Sequence, residues 1–412
     1  MMNNVMRKKM FVCIWILLLF IPLGGCWDIK YLDELSTVIA MGMDTSEGQD
    51  IQLTVQVVNP AEVSTGGGKS GGGSSSSVTT YSETGRTVFE AIRKIANKTS
   101  RRLYFAHNQV LVIGEDLARK GVTPLFDLIE RDPEVRTDFY VLVAKGAKAS
   151  DLLTIKTPIE KIPGTEMRES VENAEQILGT SYRMSIKEMI ANINSGKKEI
   201  SMGSIEIIGD IKKGGNNKNV EKIIPSASLK LNGMAVFKNQ TLVDFLDPKE
   251  SRGSAWIQNK VKSTVINVSC KKESGIAVQV VHSTTSMKGK FQQGQPSIVI
   301  HVKQEANIAE ILCSDMDLTD KETFAQIGKE TEAQIKKEML GAVKKAKKLK
   351  TDIFGFADAV YKANPAYWKK NMNNWAYIFS KIPVHIEVDT EIRGEGLRYK
   401  SYFGNDRREK KE

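Results

Sequence analysis

Between residues 319 and 349 the chain carries its longest amphipathic pattern. Thr319 and Glu322 have capping-box spacing, and Phe324, Ile327, Ile335, Met339 and Val343 continue one apolar face as far as Leu349. A helix of about 30 residues at 1.5 Å each spans roughly 45 Å, so it must pack across an entire sheet or project from it. The flanking sequence supplies strands. Apolar alternation runs over 227–237 into a turn at Lys238-Asn239-Gln240, and strand-like runs recur at 264–268, 277–282, 297–302 and 383–388.

The amino-terminal half reads as mixed. Residues 37–44 and 51–59 are apolar or β-branched strands joined by a polar hairpin connection at 45–48. Val88, Phe89, Ile92 and Ile95 mark a short helix, 109–113 a strand, 115–129 an amphipathic helix and 139–144 another strand. Helices are expected near 166–176 and 185–194, before a glycine- and lysine-rich stretch at 212–218. The fold class is therefore α+β and multi-domain, with mixed or antiparallel sheets flanked by helices and the long helix packed on the C-terminal sheet. A length of 412 residues suits two or three domains, and 41% hydrophobic with 26% charged residues excludes a disordered, collagenous or polytopic membrane chain.

The first 26 residues carry an address. Arg7, Lys8 and Lys9 precede an uncharged run over 10–25, which is short for a spanning helix but suits the apolar region of an export signal. Leu23-Gly24-Gly25-Cys26 then resembles a bacterial lipobox, in which the thiol receives diacylglycerol, the peptide is cut before the cysteine and the new amine is open to acylation. Two or more acyl chains hold a protein stably to a bilayer, at about 0.8 kcal/mol per buried CH₂. The expected division is signal peptide 1–25, N-terminal domain 26–211 with a flexible Gly/Ser loop at 64–77, linker 212–225, C-terminal domain 226–404 and charged tail 405–412.

Little in the sequence points to catalysis. Gly68-Lys69-Ser70 sits in the Gly/Ser loop, but Val63 occupies the place where a phosphate-binding loop needs its first glycine. His107, His282, His301 and His385 lie far apart, and no cysteine pair has zinc-site spacing. No catalytic residue, metal or cofactor is expected, apart from the covalent lipid on Cys26. Cys270 and Cys313 either pair in an oxidising exterior or stay buried as thiols. His107, after Arg101 and Arg102, reads as a hydrogen-bonding histidine at a strand end rather than a base in a cleft. Arg101, Arg102, Asp132, Glu134 and Arg136 read as ion pairs fixing the first domain, or as a partner surface. Trp368 and Trp375, beside Tyr367, Tyr377 and Phe379, are equally core or contact residues. Lys336, Lys337, Lys344, Lys345, Lys347, Lys348 and Lys350 read as a solvated helix face, with attraction to anionic lipid the sharper alternative. Nucleic acid is not expected as a partner, since no stacking aromatics interleave these lysines.

Blocks in order along the chain resemble the Ger(x)C lipoproteins, the C subunits of nutrient germinant receptors in endospore-forming bacteria. They are Cys26-Trp27-Asp28, Glu34-Leu35, Gly42 with Asp44, Thr54-Val55-Gln56-Val57 before Asn59-Pro60, Phe89-Glu90-Ala91 and the run from Ser100 to His107. Ile113-Gly114-Glu115, Arg131-Asp132-Pro133-Glu134 with Arg136, Gly233 to Lys238, Leu246-Asp247 and Arg252-Gly253 follow. Asp352-Ile353-Phe354-Gly355-Phe356, then Pro365, Trp368 and Trp375, complete the series. The resemblance implies a non-enzymatic lipoprotein on the outer face of the inner spore membrane, assembled with a polytopic A subunit and a membrane-embedded B subunit. It implies no small-molecule ligand for this chain. A lipid-anchored extracytoplasmic solute-binding protein, with a cleft between its halves, is the alternative.

Overall fold

The computed structural model describes residues 6–11, 15, 32–48, 50–63, 76–131, 134–269, 275–313 and 321–395. Cys26, residues 64–75 of the Gly/Ser run, Asp132, Cys270 and the tail 405–412 lie outside the described residues.

Among the described residues, thirteen strands form two sheets. The first contains β1 (Leu35–Thr45), β2 (Ile51–Val58), β3 (Val78–Gly85), β4 (Arg102–Tyr104), β5 (Val110–Gly114), β6 (Tyr140–Ala144), β7 (Ser201–Gly209), β8 (Ala227–Lys238) and β9 (Thr241–Leu246). Its order is β3-β2-β1-β5-β6-β7-β8-β9, with β4 beside β1. The centre, β1-β5-β6-β7, is parallel, and the β2–β3 and β8–β9 wings are antiparallel. Every residue of β5 (VLVIG) and β6 (YVLVA) is buried, as a parallel strand covered on both faces demands.

Helices supply that cover. Helices α1 (Val88–Ile95), α2 (Glu115–Lys120) and α3 (Thr123–Arg131) pack on one face, against Leu53, Leu111, Ile113 and Val141. Helices α4 (Ala149–Thr154) and α5 (Pro163–Ile177) cover the other, against Ala40, Val112 and Leu142. Helix α6 (Ile186–Ser195), closed by a Ser185–Glu188 capping box, joins the first group. The single helix expected over 115–129 is two helices. Gly121 takes φ +124° between α2 and α3, and the Val122 N–H leaves the helical ladder for the Gln240 carbonyl at 3.0 Å.

The second sheet is β10 (Thr264–Ser269), β11 (Gly275–Gln292), β12 (Gln295–Ile311) and β13 (Val384–Glu395), in that order, with β12 and β13 parallel. Strands β11 and β12 run 18 and 17 residues, far beyond the apolar stretches that announced them. Over residues 281–292 the alternate side chains of β11 are exposed or only half-buried, so no apolar period marks that half of the strand.

The connection at 212–225 carries two one-turn helices, α7 (Ile211–Gly214) and α8 (Lys218–Glu221), and joins neighbouring strands of the first sheet. The first sheet therefore continues past the expected linker to Leu246. Helix α9 (Pro248–Ile257) follows, and the long amphipathic segment is α10 (Lys321–Leu349), packed over β10 and β13. Short helices α11 (Phe356–Ala363), α12 (Pro365–Asn371) and α13 (Trp375–Lys381) complete the second core.

Candidate functional site

Several residues of the recognisable blocks act as internal fasteners. The buried Asp44 carboxylate accepts the Ala149 and Ser150 N–H groups at 2.7 and 2.9 Å, capping α4 from the end of β1. Burial raises its pKa, and those two N–H groups oppose the rise. Fully buried Gln56 donates to the Leu153 carbonyl at 2.9 Å and accepts from Gly164 N–H at 3.0 Å, which ties α4 and α5 to β2. Asp352 is a denser node. Its Oδ1 accepts N–H from Phe354, Gly355 and Phe356 at 3.3, 2.9 and 3.0 Å, and its Oδ2 accepts Ala357 N–H at 2.8 Å and the Trp375 indole at 3.0 Å. Burial pushes this carboxyl up, and the bonds from Ala357, Phe356, Trp375 and Gly355 pull it back.

The remaining singled-out residues separate cleanly. Trp368 and Trp375 are core, 7% and 8% exposed, with ring centroids 5.3 Å apart edge to face. His107 is exposed and stacks edge to face on Tyr104 at 5.7 Å, so it sits on a surface and not in a cleft. Arg102 pairs with Glu134 at 2.7 Å and Arg136 with Asp138 at 2.8 Å, while Arg101 is exposed. Solvent-facing pairs of this kind contribute about 0–1 kcal/mol each, enough to set a loop but not to hold a domain. Cys313 is buried and disulfide-bonded.

The lysines of α10 divide in the same way. Lys345 reaches Asp244 on β9 at 2.6 Å, and Lys347 donates to the Ile382 carbonyl at 2.6 Å. Both point inward. Lys336, Lys337, Lys344, Lys348 and Lys350 are exposed.

Between the start of β7 with the β8–β9 turn and the segments at 350–352 and 372–376 lies a cleft of about 390 Å³, lined by Lys198, Glu199, Lys238, Asn239, Lys350 and Trp375 among others. Behind it Tyr182 Oη meets Ser201 Oγ at 2.9 Å and Ser254 Oγ at 3.2 Å, and accepts from Gln258 Nε2 at 2.6 Å. Lys198 Nζ donates to Gln258 Oε1 at 2.6 Å. Burial, then repulsion from Lys260, lowers the Lys198 pKa, while burial raises that of Glu199 against the Asn239 N–H bond. Among the described residues no group of three or more His, Cys, Asp or Glu side chains could hold a metal ion.

Lys198 gives a pH test. Its folded pKa lies below the ordinary 10.5, so between the two values the unfolded chain holds a proton that the folded chain lacks, and stability rises with pH across that window. Denaturant midpoints should therefore move in favour of wild type over Lys198→Met as pH climbs through it. A difference that stays flat with pH would show that the ammonium incurs no burial cost.

These features define a two-sheet α+β protein whose distinctive polar residues are spent on holding elements together. Residues 28–207 match the family described as spore germination protein N-terminal domain, and residues 232–396 match spore germination B3/GerAC like, C-terminal. The chain is 34% identical over 397 residues to spore germination protein KC of Bacillus subtilis strain 168, covering 95% of this chain and 97% of that one. It is 26% identical over 403 residues to the putative spore germination protein YfkR of the same organism, covering 96% and 99% of the two chains. The crystal structure of the GerBC protein shares its fold, with a TM-score of 0.54 at 20% identity, over 89% of this chain and all of that one. The chain belongs to the Ger(x)C family of germinant receptor C subunits, a family of spore germination proteins and not a known enzyme family. The two family segments leave 208–231 between them, the region of the α7–α8 connection.

Proposed function

We propose that this chain works as a lipid-anchored C subunit that docks with the A and B subunits of a nutrient germinant receptor on the outer face of the inner spore membrane. The observation that carries the reading is the end-to-end family match, which includes the relative named spore germination protein KC. The anchor is diacylglycerol on Cys26, whose new amine is open to a further acyl chain. No helix among the described residues is long and apolar enough to cross a membrane. Two or more acyl chains suffice to hold a protein stably to a bilayer. Confinement to a plane raises the effective concentration for membrane partners, which lets broad and individually weak contacts suffice.

Cys26→Ala should move most of the protein from the membrane to the soluble fraction, a shift of at least tenfold, and should reduce nutrient-triggered germination with it. Unchanged germination in spores lacking other receptors would show the anchor to be dispensable. The solute-binding alternative has the cleft beside Lys198 and Trp375 as its natural site. Calorimetry of the purified protein with nutrient amino acids and sugars should show no saturable heat, and a micromolar site there would overturn the docking reading.

A further inference from the structure

The loop from Asp210 to Ser226 closes on itself, with the Asp210 N–H bonded to the Ser226 carbonyl at 2.9 Å. It is built rigidly. Buried Asn219 donates to the Lys156 and Ala227 carbonyls, both at 2.9 Å, and accepts from Ala227 N–H at 3.0 Å. Gly214 lies so close to Ile155 and Ala227 that an added Cβ would sit 2.5 and 2.8 Å from them, and its carbonyl accepts Lys156 N–H at 3.0 Å. The segment around Lys156 is thereby pinned to the loop.

This platform holds aliphatic side chains out in water. Ile223 is 102% exposed, Ile224 82%, and Ile159 on the pinned segment 82%, with Ile211 and Val220 at 39% each. Lys161, Lys212, Lys213, Lys218 and Lys222 stand exposed among them. The acids present are Glu160, Asp210 and Glu221, of which Asp210 pairs with Lys213 at 3.1 Å. Residues 154–162 and 208–226 contain no aromatic residue and no arginine. Protein interfaces enrich arginine and deplete lysine, so isoleucine ringed by lysine fits an anionic lipid surface better than a protein partner. Lysine stems also lie along apolar surface while their ammonium groups stay at headgroup level.

We propose that this loop is a membrane-surface wedge: Ile159, Ile211, Val220, Ile223 and Ile224 enter the headgroup and acyl boundary of an anionic bilayer, and the lysines meet its phosphates. The proposal rests on the lipid-anchored reading and adds a second point of membrane contact to it. Strands β1 and β7 both lie in the parallel centre of the sheet, and the wedge leaves the carboxyl end of β7, opposite the end at which β1 begins with Leu35.

The test uses the full mature protein at saturating lipid, with Ile223→Cys or Ile159→Cys carrying an environment-sensitive fluorophore. Vesicles contain phosphatidylcholine with or without phosphatidylglycerol, plus a shallow nitroxide lipid. Blue-shifted, quenched emission is expected at both positions in the anionic vesicles, and water-like emission at Lys290→Cys on the second sheet. Replacing Lys212, Lys213, Lys218 and Lys222 by glutamine should cut the quenching at least twofold. Water-like emission at position 223 in both vesicle types overturns the wedge, as does shielding that needs a second copy or the other receptor subunits. The mass of the N-terminal peptide reports the anchor separately. An unacylated chain still shielded at 223 supports the wedge without the anchor, and an acylated chain with the label in water sinks the wedge alone.

Discussion

Asp352→Asn should lower the unfolding free energy of the C-terminal half by about 2–6 kcal/mol, although it keeps the number of heavy atoms and barely changes volume. All five partners of the carboxylate are donors. A carboxylate answers them with lone pairs alone, whereas an amide must turn its NH₂ toward one group of donors. The milder choice faces NH₂ to the Oδ2 side and strands two buried donors, Ala357 N–H at 2.8 Å and the Trp375 indole at 3.0 Å. Each stranded donor costs roughly 1–3 kcal/mol. Trp375→Phe removes one of those donors in advance, so the double variant should lose less than the sum of the single losses, by about 1 kcal/mol. Guanidinium melts followed by tryptophan fluorescence measure all three. Strict additivity would mean that the indole and the carboxylate do not share the node.

That node shows how far the sequence could be read. The block from Asp352 to Phe356 was recognisable as a pattern, but its reason is tertiary: the aspartate caps α11 from outside while holding a tryptophan 23 residues away. Asp44 and Gln56 behave alike, reaching groups 105 and 97 residues distant. Residue spacing cannot announce bonds of that length. Where burial set a period, the sequence was legible: β1, β2, β5, β6 and the long α10 all follow from apolar patterning. It failed where burial is one-sided or absent, as in β3 at the sheet's edge and the outer half of β11. The paired tryptophans could be core or contact until Trp375 was seen bonded inward. The wedge was hidden for the opposite reason. A glycine- and lysine-rich stretch reads as a linker, and only the fold reveals that Asn219 and Gly214 stiffen it and leave its isoleucines uncovered.

The second large effect is expected at Arg252. Its guanidinium meets Glu338 through two bonds, Nε to Oε2 at 2.8 Å and Nη2 to Oε1 at 2.5 Å, and donates from Nη1 to the Val265 carbonyl at 3.1 Å. One side chain thus joins α9, α10 and β10. The pair is almost dry, with the side chains 15% and 2% exposed. Arg252→Met should cost about 3–5 kcal/mol, because it leaves the Glu338 carboxylate buried without its cation. Arg252→Lys should recover little, since an ammonium cannot reproduce the fork. Arg252→Met combined with Glu338→Leu should regain most of the loss, as buried pairs exchanged for apolar groups of similar volume are often neutral or better. The neighbouring Gly253 sets the limit on such repacking. A Cβ there would lie 2.2 Å from the Glu338 carbonyl oxygen, so Gly253→Ala must force α9 and α10 apart whatever the charges do. If the apolar double variant stays as unstable as Arg252→Met alone, the lost stability belongs to the β10 contact and not to the buried charge; a rescue that fails only when Gly253→Ala is added would assign it to the helix crossing.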